Sequence, residues 1–157
     1  MPRPEGAPHA VADGPSADRV LIIGSGLAVG WGVASHDLAL AGSLARALRA
    51  MTGRGVVVDV IADPDMTSAG LTPIIGGARL RDYDAVVTTI GVNDALTGVS
   101  PRVWKRNMAR ALDVWRNRVT QGNLLLMVSV TSIRTIPTFV GSGGLLAEAL
   151  VRRMNAI

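Results

Sequence analysis

Cysteine is absent from this 157-residue chain. That absence removes disulfides, thiolate zinc centres, iron–sulfur clusters and cysteine nucleophiles together. Histidine is scarce, with only His9 and His36, so a histidine-rich metal site is excluded. Aromatic side chains are few (three Trp, one Tyr, one Phe), which leaves little on which to stack the bases of a single strand. Long hydrophobic runs are missing too. Stretches such as Leu124–Val128 fall far short of the ~20 residues that a bilayer-spanning helix needs. The first 19 residues lack the apolar centre of a signal peptide. These absences predict a cytoplasmic protein without a membrane span.

What is present suits one folded domain. Hydrophobic residues make up 48% and charged residues 18%, a balance that a disordered chain does not have. The length is enough to bury most of the apolar surface without staples. Basic residues outnumber acidic ones, 16 to 12, and Lys105 is the single lysine. Arg102, Lys105, Arg106, Arg110, Arg116 and Arg118 crowd one segment. They read as the solvated face of a helix rather than as a nucleic-acid footprint, which needs a reading element as well. No nucleic-acid partner is expected.

Residues 1–18, with four prolines and two glycines, read as a disordered leader. The folded domain is expected over 19–157. Val20–Ile23 is a short apolar run ending in Gly24-Ser25-Gly26, the pattern of a strand buried on both faces and then a turn. Apolar residues at Leu38, Ala41, Leu44, Ala45, Leu48 and Met51 recur with helical period before Gly53. Val56–Ile61 predicts a second strand, Thr67–Ile75 a short helix and Tyr83–Ile90 a third strand. Ser100-Pro101 is a helix start, a hydroxyl cap followed by proline at the first helical position. Trp104, Met108, Leu112, Trp115 and Val119 then make one apolar stripe opposite Arg102, Arg106 and Arg110. Asn123–Val130 predicts a fourth strand and Leu145–Ile157 a last helix. Alternating strands and helices predict a three-layer α/β sandwich with a parallel sheet and right-handed crossovers. Ligands in such folds gather at the carboxyl ends of the strands. The turns to inspect are therefore Gly24–Gly26, Asp63–Thr67, Gly91–Asp94 and Thr131–Ile133.

The first turn is not a dinucleotide fingerprint. Gly24 and Gly26 fit G-x-G, but the next glycine, Gly30, comes one residue too late. Two turns together, Gly24-Ser25-Gly26-Leu27-Ala28-Val29-Gly30 and Gly91-Val92-Asn93-Asp94, resemble the SGNH (GDSL-type) hydrolase family. That family carries G-D-S-L-x-x-G after its first strand and G-x-N-D after its third. The resemblance covers about Arg19 to Ile157. It implies a flavodoxin-like parallel sheet and ester or acyl hydrolysis of a small or lipid-like substrate, with no metal or organic cofactor. In the family a serine attacks the carbonyl. Backbone N–H groups and the Asn amide hold the oxyanion, and a histidine oriented by aspartate in a D-x-x-H block acts as base.

Carried over residue by residue, the ungapped match puts Ser25 at the family's Asp position and Gly26 at that of the nucleophile. Ser25 serves as nucleophile if the turn slips by one residue; otherwise its hydroxyl makes a local turn bond. Gly26, Gly70 and Asn93 are the candidate oxyanion or substrate-binding residues. Asp65 is the alternative to Gly70, because counting from the end of the second strand favours Asp65-Met66-Thr67; a carboxylate there repels an oxyanion. Asp94 reads as a loop brace. No D-x-x-H occurs in the chain, and the family's final strand and helix are expected to lie beyond Ile157. His36 reads as an exposed residue in the first turn of a helix, with service as the base as the alternative. Two functions follow: an esterase acting through Ser25, or a non-catalytic relative binding a small ligand or partner in the same cleft.

Overall fold

The computed structural model of the chain describes residues 3–119, 122–133 and 142–156. Five strands form one sheet: β1 (His9–Ala12), β2 (Asp18–Gly24), β3 (Val56–Ala62), β4 (Ala85–Thr89) and β5 (Leu124–Met127). Their spatial order is β1-β3-β2-β4-β5. The four strands expected from the apolar runs are all parallel, with β2 between β3 and β4. Among the described residues five α-helices accompany them: α1 (Leu40–Thr52), α2 (Ser68–Gly77), α3 (Val92–Leu96), α4 (Pro101–Arg118) and α5 (Ser142–Asn155). This is the expected α/β sandwich with flavodoxin-like order.

Alternation along β2 builds both cores. Val20 and Ile22 pack with Val56, Val58 and Val60 of β3 and with Ala41 and Ala45 of α1. Leu21 and Ile23 point the other way, into a larger cluster with Leu71 and Ile75 of α2, Trp104 and Met108 of α4, and Val151 and Met154 of α5. A central parallel strand must be apolar on both faces because helices cover both. The expected stripe on α4 is only partly immersed: Trp104, Met108 and Ala111 are buried, while Trp115 and Val119 are half-buried at its margin. Arg102, Arg106 and Arg110 are exposed on the far face. Ser100 caps α4 as expected, its hydroxyl accepting from the Val103 N–H at 3.4 Å.

The leader is corrected by β1. Within the segment expected to be disordered, His9–Ala12 pairs antiparallel with Val56–Asp59, and Ala10 is 1% exposed. The outer edge of β3 offers unpaired backbone groups, which bind a short segment of weak intrinsic preference. Upstream, residues 3–8 form an arm across the carboxyl edge of the sheet. The Glu5 N–H donates to the Ala34 carbonyl at 3.1 Å, and the Val60 N–H donates to the Pro8 carbonyl at 2.8 Å.

The fourth predicted strand is shorter than expected, ending at Met127. Just past it, Val130 meets a side chain instead of a strand. Asn155 of α5 accepts from the Val130 N–H at 2.8 Å and donates to its carbonyl at 2.9 Å. The expected end of the last helix, at Ile157, lies outside the described residues.

Candidate functional site

The ends of β2, β3 and β4 are laced together at the carboxyl edge. The Ser25 N–H donates to the Thr89 carbonyl at 2.9 Å, and the Asp63 N–H donates to the Gly24 carbonyl at 3.1 Å. The Thr89 hydroxyl donates to the Ser25 carbonyl at 3.2 Å. A Cβ on Gly24 would strike the Thr89 carbonyl, so glycine is what lets the two tips approach. The two turns singled out in the sequence thus sit side by side.

Within that frame the candidate residues do not all face the same space. Ser25 is 3% exposed, and its N–H is spent on Thr89. It stands at the head of a 3-10 turn, Gly26–Val29, without capping that turn through its side chain. Gly26 follows with a φ of +57°, and a Cβ built on it meets nothing within 4 Å. The open side-chain direction therefore belongs to Gly26 and not to Ser25, as the ungapped match requires.

Asn93 lies in α3, which starts just past the tip of β4. The turn expected there is a short helix. Its Nδ2 donates to the carbonyls of Pro64 at 2.7 Å and Met66 at 2.9 Å. Both amide hydrogens are thereby committed to the loop after β3. Asn93 is brought to the second turn as expected, but as a clamp on backbone carbonyls. Neither rival for the second-turn position offers a free amide. The Gly70 N–H lies inside α2 and donates to the Thr67 carbonyl at 3.0 Å. The Asp65 N–H donates to the Asp63 carboxylate at 2.8 Å.

Asp94 braces, as expected, and is 1% exposed. It receives the Ser68 N–H at 2.9 and 3.1 Å and the Ser68 hydroxyl at 2.5 Å. Ser68 opens α2, so a carboxylate sits where the helix leaves N–H groups unpaired and where its dipole favours negative charge. Asn107 of α4 donates to the Ser68 hydroxyl at 2.9 Å and completes the link. Sequence spacing placed Asp94 in the G-x-N-D turn but did not pair it with Ser68 and Asn107.

His36 begins a 3-10 turn, His36–Leu38, and is half-buried where an exposed residue was expected. Its Nδ1 is buried without a hydrogen-bond partner among the described residues. It lines a cleft of about 350 Å³ together with Arg3, Pro4, Val29, Val60 and Pro64, a cleft to which Ser25 and Gly26 do not contribute. The arm packs closely against Gly30. A Cβ there would lie 2.6 Å from the Pro4 ring.

No protein-family model matches the chain, and no curated protein does. Among solved structures, it is similar to the lipase Lip_vut3 from a goat rumen metagenome, with a TM-score of 0.68 and 13% identity over 89% of this chain and 75% of that one. It is also similar to TesA, with a TM-score of 0.60 and 22% identity over 85% of this chain and 70% of that one. The sheet order, the helices on both faces and these likenesses agree: the chain has the α/β fold of SGNH-type hydrolases.

Proposed function

We propose that this chain is a non-catalytic relative of ester hydrolases that binds a small ligand at the carboxyl edge of its sheet. The observation that carries the reading is the exchange at the first turn. The side-chain direction that opens outward belongs to Gly26, which has no nucleophile, while the neighbouring hydroxyl belongs to a residue 3% exposed. A serine must reach both base and substrate to attack. The donors of an oxyanion hole must point at the position the oxyanion will take. Here the Ser25 and Gly70 N–H groups and both Asn93 amide hydrogens already have carbonyl acceptors.

A fluorophosphonate probe tests the reading, with a short-chain aryl ester as the second substrate. The expected result is no covalent adduct and no turnover above a buffer blank at high protein concentration. An adduct that forms on the chain and disappears in Ser25→Ala overturns it and restores the esterase.

A further inference from the structure

The cleft between the N-terminal arm and the end of β3 has a chemical character of its own. Its floor is apolar, made by Val29, Val60 and Ile61, and Ile61 is 38% exposed there. Of the described residues that line it, Arg3 and His36 are the two able to carry charge; Asp63 and Asp65 flank Pro64 but are not among them. Arg3 lies over the Trp31 ring, 4.9 Å from its centroid, and Arg3 has no ion pair among the described residues. A guanidinium over a ring face keeps edge donors for a planar carboxylate. His36 lines the same cleft, although its Nδ1 is itself buried. A cleft of about 350 Å³ falls within the size range of small-molecule sites, which pair apolar walls with a few placed polar groups.

We propose that this cleft binds a small apolar monocarboxylate, its carboxylate on Arg3 beside His36 and its tail on Val29, Val60 and Ile61. One guanidinium balances one carboxylate. The cleft does not contain Ser25 or Gly26, so this inference stands or falls apart from the fate of the first turn.

Hexanoate, titrated into the full chain by calorimetry and by amide chemical shifts, tests the proposal. Hexanol supplies the same tail without the charge. Hexanoate is expected to bind saturably, with hexanol weaker by about tenfold or more, as expected for loss of a charge-assisted hydrogen bond. Arg3→Gln, on an exposed stretch of the arm, is expected to lose that same margin while remaining folded. Arg118→Gln, at the far end of α4, is expected to bind as the unaltered chain does. Shifts are expected at the amides of Val29, Val60 and Ile61. Absence of saturable binding, equal affinity for hexanol, full affinity in Arg3→Gln, or shifts confined to other residues each overturn the proposal. A fluorophosphonate adduct has no bearing on it.

Discussion

Replacing Asp94 with alanine is expected to cost about 3–5 kcal/mol of folding stability, a large share of the ~5–15 kcal/mol that holds a domain together. Two donors lose their acceptor at once, the Ser68 N–H and the Ser68 hydroxyl. Water cannot replace the carboxylate cheaply, because Ser68 is 0% and Asp94 1% exposed. Each stranded buried donor costs about 1–3 kcal/mol. Losing the negative charge at the start of α2 adds about 0.3–1 kcal/mol. For a chain of this size the sum lowers the Tm by about 10 °C, taking roughly 2–4 °C per kcal/mol. Asp94→Asn keeps one acceptor oxygen in nearly the same volume, so it is expected to lose about half as much. Urea titration followed by tryptophan fluorescence measures both variants, with an unchanged slope showing that the folded and unfolded states remain comparable. An Asp94→Ala chain within about 1 kcal/mol of the unaltered protein would refute the reasoning, since that is less than the cost of even one stranded buried donor at the middle of its range.

Gly26→Ser is expected to fold and to lose only about 1–2 kcal/mol, the cost of a left-handed backbone on a residue with a side chain, because its Cβ enters open space. A larger loss in the same urea titration contradicts the outward direction assigned to this position. The single tyrosine, Tyr83, has its ionisation pushed up by burial and by the hydrogen bond it donates to Asp59 at 2.9 Å. A raised value stabilises the fold fully below the ordinary tyrosine value near about 10, and the benefit is lost as pH climbs through the folded value. Ultraviolet titration is expected to give a midpoint above that of the urea-unfolded chain and a lower one in Asp59→Ala; a folded midpoint at or below the unfolded one refutes the assignment.

Much of the architecture was legible because apolar runs and helix caps are local signals. Val20–Ile23 and Val56–Ile61 carry their burial in composition, and Ser100-Pro101 starts α4 where a hydroxyl and a fixed φ require it. The β1 strand was not legible. Four residues amid prolines and glycines have no strand pattern of their own, and the edge of β3 is what organises them. At the candidate site, spacing located Ser25, Gly26 and Asn93 at neighbouring strand ends but could not show what each group bonds. Whether an asparagine amide meets a ligand or the carbonyls of Pro64 and Met66 depends on the path of a loop in three dimensions. The same holds for Asp94, whose partner Ser68 lies 26 positions before it and is itself bonded by Asn107, 39 positions beyond Ser68.

The bond pair between Asn155 and Val130 makes one side chain act as a one-residue length of strand. Because a single carboxamide both gives and receives, it recognises one peptide unit in one orientation. Sliding α5 along the sheet by a turn would forfeit both bonds together. The helix is therefore keyed, and not merely greased, into place: its apolar side chains set how tightly it sits, and Asn155 sets where it stops.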